Sequence, residues 1–333
     1  MNIAVLGAGG WGTTLAILLQ QNGHTVTLWE YDGNYAKIIA NTRDNKIYLP
    51  GIIIPKEISI TDSLEESCIN KQMIVIAVPT QFIRSVLNNM KTYDFRNTTF
   101  VSVAKGIEKD TLKTVSHIIR DELKNISPDQ IGVLSGPSHA EEVARNIPTA
   151  VVAASRDPFI AKQIQSTFIT SYFRIYSTTD ILGVEYGGAL KNVIAIGAGI
   201  IDGAKFGDNT KAAIMTRGIA EIARLGIALG ANPETFSGLS GMGDLIVTCM
   251  SKHSRNRYVG EQIGQGKKLN EVIKNMQMIA EGVETCRSVH QLSVKHQIET
   301  PIASAVYKIL FEDQDPTKVT YELMSRDMKP EDE

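Results

Sequence analysis

Residues 1–30 read MNIAVLGAGGWGTTLAILLQQNGHTVTLWE, and this stretch decides the fold. A short apolar run, Asn2 to Leu6, ends in GAGGWG, which puts Gly7, Gly9 and Gly12 at GxGxxG spacing. A helical run from Thr13 to Gln20 follows, and then a second β-branched run, TVTLW, that ends at Glu30. Between a strand and a helix the three glycines have separate uses. The first permits a tight turn, the second lets backbone amides approach a pyrophosphate, and the third lets the helix pack closely on the strand. The phosphates then lie at the positive end of the helix dipole. Glu30, about 20 residues past the glycines, stands where an acidic side chain accepts hydrogen bonds from the adenosine ribose hydroxyls. That favours NAD, because a carboxylate repels a 2′-phosphate and the following Tyr31 and Asp32 offer it no cation. Lys37 and Arg43 nearby keep NADP open.

Outward from this unit, β-branched runs continue to alternate with helical patterns through residue 177: MIVIAV, TFVSVA, IGVLS, TAVVAA and FRIYS. The alternation predicts a parallel sheet with helices on both faces, a doubly wound α/β (Rossmann) domain, and nearly all-apolar runs suit strands buried on both sides. After Ser177 the strand runs stop, and long helical stretches such as Leu182 to Ile201 and Lys211 to Leu229 take over. Thr178, Thr179 and Asp180 provide a helix N-cap signal at the change. The expected division is a dinucleotide-binding domain over 1–180 and an all-helical substrate and catalytic domain over 181–333. The closing KPEDE reads as a frayed polar tail.

Composition excludes several classes of function. A net charge of −2 gives no general pull toward nucleic acid or an anionic membrane, so phosphate recognition must be local. Val193 to Ile201, the longest apolar run, has nine residues, well short of the roughly 20 that a membrane span needs, and reads as a buried core helix. Strand-like residues begin at once, without the basic and apolar segments of a signal peptide, so secretion is not expected. Cys68, Cys249 and Cys286 are odd in number and share no CxxC spacing, which fits reduced thiols in the cytoplasm. The six histidines show neither HxxxH nor HExxH spacing, so no metal site is expected, and no glycine elbow supports a catalytic serine.

Three places in the helical half put unusual chemistry in apolar settings. In GVEYGGALKNVIAIGAGI, Lys191 and Asn192 interrupt a helix of small and apolar residues. A buried cation is costly, and a lysine with a lowered pKa can exchange a proton with a substrate oxygen; the plain alternative is a lysine snorkelling at a helix interface. In LSGMGDLIVTC, two glycines deliver Asp244 ahead of an apolar helical run, either to orient Lys191 or bind a substrate hydroxyl, or only to cap the helix. In SKHSRNRYVG, Ser254, Arg255, Asn256 and Arg257 cluster donors suited to a phosphate dianion, or form a solvated basic loop. Lys105, in the AKG that follows TFVSV, falls at the ligand-gathering edge of the sheet, or is a loop lysine in solvent.

Taken together, GAGGWGT, LSGPSHAEEVA, EYGGALKNVIAI, GMGDL and SRNR, in this order and spacing, resemble the bacterial NAD(P)-dependent sn-glycerol-3-phosphate dehydrogenases across nearly the whole chain. The resemblance implies reduction of dihydroxyacetone phosphate by NADH or NADPH to sn-glycerol 3-phosphate, a phospholipid precursor, in a cytoplasmic homodimer. It implies that Lys191 is the proton donor and acceptor, with Asn192, Asp244 and Thr248 lining the reacting end of the substrate. Ser254, Arg255 and Asn256 match its phosphate site, and Lys105, Gly136 and Ser138 a second set of substrate contacts. Cofactor positions fall on the glycine loop with Gly10 and Trp11, on Glu30, Tyr31 and Tyr48, and on Lys105, Ala140, Arg255, Ile279 and Glu281. Gly10 stands where the family commonly has serine, and Tyr31 where many members carry a basic residue; the second change agrees with NAD. Competing readings are a related Rossmann dehydrogenase of a β-hydroxyacid or sugar acid, and a non-catalytic dinucleotide sensor. A sensor has no need of Lys191, Asp244 and Arg255 together.

Overall fold

The computed structural model describes residues 1–328 and Pro330; apart from Pro330, the polar tail read at 329–333 lies outside the described residues. Among these, eight strands form one sheet: β1 (Asn2–Leu6), β2 (Thr25–Trp29), β3 (Ser59–Thr61), β4 (Met73–Ile76), β5 (Thr99–Ser102), β6 (Ile131–Ser135), β7 (Thr149–Ser155) and β8 (Phe173–Thr178). Their order across the sheet is β3-β2-β1-β4-β5-β6-β7-β8. The chain leaves β1 toward β2 on one side and returns to β4 on the other. That reversal opens a crevice at the carboxyl ends of β1 and β4, where ligands of such sheets bind. The connections carry α1 (Gly10–Gln21), α2 (Gly33–Thr42), α3 (Leu64–Cys68), α4 (Thr80–Asn88), α5 (Val115–Glu122), α6 (Ala140–Val143) and α7 (Pro158–Phe168). Two apolar clusters, one on each face, cover the sheet: Leu15, Leu19 and Phe173 belong to the first, Ile83, Phe95 and Ile118 to the second.

All seven runs singled out in the sequence are strands. The eighth, β3, is a three-residue edge strand beside β2, too short to show alternation. The expectation of a parallel sheet needs one correction, since β7 runs antiparallel to β6 while β7 and β8 are parallel again. A parallel return usually needs a full helix to carry the chain back across the sheet. Here the only helix between β6 and β7 is the four-residue α6, which cannot recross the sheet. The segment instead stays at the carboxyl edge, and β7 starts back from there.

From residue 181 the chain is helical: α8 (Ile181–Gly203), α9 (Asp208–Ala228), α10 (Pro233–Phe236), α11 (Asp244–Met250), α12 (Arg255–Gly264), α13 (Leu269–Lys274), α14 (Glu281–His296), α15 (Pro301–Phe311) and α16 (Pro316–Met324). The N-cap signal works as read, with Asp180 accepting from the Gly183 N–H at 3.0 Å. α8 is long and apolar enough to cross a membrane by composition alone, yet all of its apolar window lies inside the protein. It is the axis of the helical half and packs against α9, α11, α12, α14 and α15. A helix apolar on every side needs such a jacket.

The closest of these contacts depends on glycine. α8 and α12 cross where a Cβ on Gly260 would lie 1.9 Å from the Ile196 carbonyl oxygen and one on Gly199 would lie 2.0 Å from that of Arg257. The backbones are too near for any side chain between them. Gly260→Ala therefore forces the helices apart, at a cost of about 1–3 kcal/mol or more. Thermal unfolding checks this, and an unchanged melting temperature would show that the crossing tolerates a methyl group.

Candidate active site at the seam of sheet and helices

The glycine loop has the shape that its spacing predicts. Gly7 adopts φ +105°, and a Cβ there would lie 2.9 Å from the Ala77 carbonyl oxygen. A Cβ on Gly12 would lie 1.9 Å from the Gly7 carbonyl oxygen, so the helix packs directly on the turn. Around the missing Cβ of Gly9 there is nothing within 4 Å. α1 begins at Gly10 with no side chain capping it, which leaves its first N–H donors facing that open space. This is a cradle for an anion, and it fits the pyrophosphate of a dinucleotide. At Gly10 a Cβ would come within 2.6 Å of the Tyr48 carbonyl oxygen, so glycine there goes with the close approach of the 43–58 segment. Trp11 stands beside the loop with its buried Nε1 unpartnered among the described residues.

One residue of that segment escaped the sequence reading. Asn45, fully buried, donates from Nδ2 to the Ala8 carbonyl (2.8 Å) and to Thr13 Oγ1 (2.7 Å), bracing the glycine loop, while its Oδ1 takes the Tyr35 hydroxyl at 2.7 Å. Nothing in its spacing signals this. At the end of β2, half-buried Glu30 accepts from the Asp32 N–H at 3.1 Å. Burial raises its carboxyl above the usual range against the pull of the Asp32 and Ala8 amides. Tyr48 lies within reach of that charge, its phenol pushed up by burial and then by Glu30. Tyr31 is exposed, and Arg43 turns away, donating to the Ile58 carbonyl at 2.7 Å.

The chemistry concentrates where sheet and helices meet. Lys191, in the middle of α8, is 5% exposed; its ammonium donates to Asp244 Oδ1 at 2.9 Å and to Thr248 Oγ1 at 2.5 Å. Thr248 gives its own hydrogen to the Asp244 carbonyl one turn earlier, at 2.6 Å, which turns a lone pair toward the lysine. Asp244 is not a capping residue: it opens α11, and Gly243 occupies the cap position. Its other oxygen, Oδ2, takes Lys105 Nζ at 2.7 Å. Lys105 is therefore no solvated loop lysine, and it also donates to the Gly136 carbonyl (2.8 Å), with Ser138 Oγ at 3.5 Å. Burial lowers the Lys191 ammonium to about 8, with the positive charge of Lys105 acting in the same direction and Asp244 opposing. Burial pushes the Asp244 carboxyl up, but the two ammonium groups outweigh it and hold it below the usual carboxylate range. Asn192 donates from Nδ2 to the Lys105 carbonyl at 2.9 Å.

The SRNR segment opens α12. Ser254 caps it by accepting from the Arg257 N–H at 3.1 Å, and buried Asn256 accepts from the Gly282 N–H at 2.9 Å. The two arginines differ. Arg257 pairs with Asp202 at 2.7 Å and with Glu261 at 3.2 Å, so it holds the helix. Arg255 is exposed and has no ion pair among the described residues, which leaves its guanidinium available at a helix N-terminus. Glu281 at the start of α14 gives both carboxylate oxygens to the sheet half, accepting from the N–H groups of Thr80 (2.6 Å) and Lys105 (3.1 Å). Ala140 opens α6 and accepts from Thr14 Oγ1 at 3.2 Å; Ile279 is exposed on the approach to α14. His139, between Ser138 and Ala140, was not singled out by its sequence context. Its Nε2 is buried without a partner among the described residues, and burial, with the charges of Lys191 and Lys105, drives its pKa down to about 4.

The comparisons with known proteins agree with this geometry. Family models described as the NAD-dependent glycerol-3-phosphate dehydrogenase N-terminus and C-terminus match residues 2–161 and 180–321. A Thermoanaerobacter sp. protein named glycerol-3-phosphate dehydrogenase (NAD(P)+) is 52% identical over 99% of this chain and 99% of its own length. One of the same name from Fusobacterium nucleatum is 49% identical over 99% of this chain and 98% of its own. The crystal structure of glycerol-3-phosphate dehydrogenase from Coxiella burnetii, 37% identical, covers 98% of this chain and 99% of that one with a TM-score of 0.93.

Asp244 lies between two cations, so Asp244→Asn leaves Lys191 buried beside Lys105 without its counter-charge. The folded state should lose about 3 kcal/mol. The Lys191 ammonium should also titrate below its present value of about 8. Thermal melts and lysine NMR titration check the two effects; an unchanged titration would show that the carboxylate does not set the lysine.

Proposed function

The chain belongs to the NAD-dependent glycerol-3-phosphate dehydrogenase family and interconverts dihydroxyacetone phosphate and sn-glycerol 3-phosphate, and on that premise we propose that Lys191 is the acid and base of the reaction. The observation that carries this reading is a buried lysine, tuned to about 8, held by Asp244 and Thr248 at the edge of a dinucleotide crevice. When bound, the nicotinamide cofactor supplies or accepts the hydride. In reduction the Lys191 ammonium gives its proton to the C2 carbonyl oxygen as charge develops there; in oxidation the neutral amine takes the proton of the C2 hydroxyl. Asp244 keeps the lysine aimed and charged, and Thr248 fixes its other donor.

We assign the remaining roles on the same reading. Arg255, with the hydroxyl of Ser254, the amide of Asn256 and the free N–H groups opening α12, holds the substrate phosphate, and Lys105, Gly136, Ser138 and Asn192 line the path to the reacting carbon. Gly7, Gly9, Gly10, Trp11, Gly12, Tyr31, Tyr48, Ala140, Ile279 and Glu281 border the cofactor, and Arg255 reaches it too. Glu30 at the end of β2, with Arg43 engaged on the Ile58 carbonyl, favours NADH over NADPH. The two halves act as domains, 1–180 for the dinucleotide and 181–333 for the substrate. The active form is a cytoplasmic homodimer that supplies glycerol 3-phosphate for phospholipid synthesis.

Nicotinamide absorbance with dihydroxyacetone phosphate, in separate assays with NADH and NADPH, tests this reading: NADH should be oxidised rapidly and preferred. Dihydroxyacetone should be a poor substrate, because binding of the non-reacting phosphate is what places the carbonyl; comparable turnover of the two ketones would refute that. Lys191→Ala should lose about 100-fold or more in turnover with cofactor binding retained. Since the proton must be on Lys191 for reduction, kcat/KM in that direction should fall as pH rises through about 8. Near-normal turnover of the variant would remove Lys191 from the chemistry.

A further inference from the structure

Lys105 reaches Asp244 from a loop of the sheet half, and three features of the helical half hold that loop. Its N–H donates to Glu281 Oε2 at 3.1 Å, its carbonyl oxygen accepts from Asn192 Nδ2 at 2.9 Å, and its ammonium donates to Asp244 Oδ2 at 2.7 Å. The other oxygen of Glu281 takes the Thr80 N–H at 2.6 Å, so one carboxylate ties the start of α4 to the Lys105 loop. Glu281 is itself fixed. The next residue, Gly282, donates to Asn256 Oδ1 at 2.9 Å, and a Cβ on it would lie 2.7 Å from the Asn192 carbonyl oxygen. The start of α14 therefore touches the backbone of α8 beside Lys191, the phosphate-facing end of α12, and the Lys105 loop.

We propose that Glu281, besides bordering the cofactor, is a positioning residue, which by clamping the Lys105 peptide against α8 sets the Lys105–Asp244–Lys191 chain. A lysine side chain on a free loop samples many rotamers, and only a fixed backbone keeps its ammonium on one oxygen of Asp244 while Lys191 holds the other. With the clamp in place, the Lys105 charge presses on Lys191 and favours release of its proton. Without it, that pressure weakens and Lys191 holds its proton more tightly. The titratable groups facing Lys191 are Asp244 and Cys249 of α11, Lys105 of the loop, and His139 at the start of α6. Of these, only Lys105 has its backbone held by Glu281. The inference rests on Lys191 as the acid and base of the reaction.

The test is Glu281→Gln, which keeps the shape and turns one acceptor into a donor facing a donor. Turnover of dihydroxyacetone phosphate should fall about tenfold or more, the scale of a slightly misplaced catalytic group. The pH midpoint for reduction, read at saturating NADH, should move upward. Hydrogen exchange at the Thr80 and Lys105 amides should accelerate. In a double-mutant cycle, Glu281→Gln combined with Lys105→Ala should be no slower than Lys105→Ala alone, because the glutamate acts through the lysine. Unchanged turnover and midpoint at saturating NADH, or additive losses in the cycle, would each overturn the proposal. Should Glu281→Gln fail to fold, Glu281→Asp carries the same measurements. If the wild-type protein itself left dihydroxyacetone phosphate unreduced, the functional reading would fall, and exchange at the two amides would still decide whether Glu281 holds the loop.

Discussion

Two ammonium groups, from Lys105 and Lys191, converge on the two oxygens of one carboxylate, Asp244, with its side chain almost wholly removed from water. Burying three charges is expensive, and only close pairing with further hydrogen bonds offsets it. Much of the surrounding structure supplies those bonds. Thr248 completes Lys191, the Gly136 carbonyl completes Lys105, and the π-helical turn Leu239–Gly243 brings Asp244 to the front of α11 instead of leaving it as a cap. The positive φ of Gly136 belongs to the same arrangement, because a Cβ there would lie 2.9 Å from the Val151 backbone.

A second device recurs around this centre. Glutamates reach across the fold to occupy the open first turns of distant helices. Glu185 of α8 takes the Ser116 N–H at 2.7 Å and both the Thr114 and Ser116 hydroxyls at the start of α5. Glu281 takes Thr80 at the start of α4, and Glu221 of α9 takes the Ile302 and Ala303 N–H groups at the start of α15, each at 2.8 Å. A helix start offers unpaired donors and a positive dipole end, so one carboxylate satisfies several groups at once. Burial still raises two of these acids, Glu221 to about 7 and Glu185 above its usual value. Two of the three joints, at Glu185 and Glu281, cross from the helical half to the sheet half.

Local patterns were legible in the sequence. The glycine loop, seven of the strands, the Asp180 cap and the buried α8 rest on spacings of a few residues, and such spacings dictate local geometry. Lys191 stood out because a cation in an apolar helix conflicts with its surroundings. What stayed hidden depends on partners far along the chain. Asn45 braces the glycine loop from 37 residues beyond Ala8, and Glu281 meets Thr80 across 201 positions. Asp244 read equally well as a cap, because which way its carboxylate turns is decided by Lys105, 139 residues earlier. The antiparallel β7 was hidden because periodicity marks a strand without its direction, which follows from the shortness of α6.

The joints at Glu185 and Glu281 also bear on heredity. The chain looks divisible at residue 180, where one family model begins, as if the dinucleotide half could be exchanged for that of any relative with the same glycine loop. The seam forbids so simple a trade. A grafted half would bring its own phosphate cradle intact, yet it would also need an open helix start under Glu185, and a lysine loop of the right length beneath Glu281 and Asp244. Substitutions on the two sides of this seam are bound to travel together, so lineages should drift freely over the outer faces of both halves while the seam descends as one inherited unit.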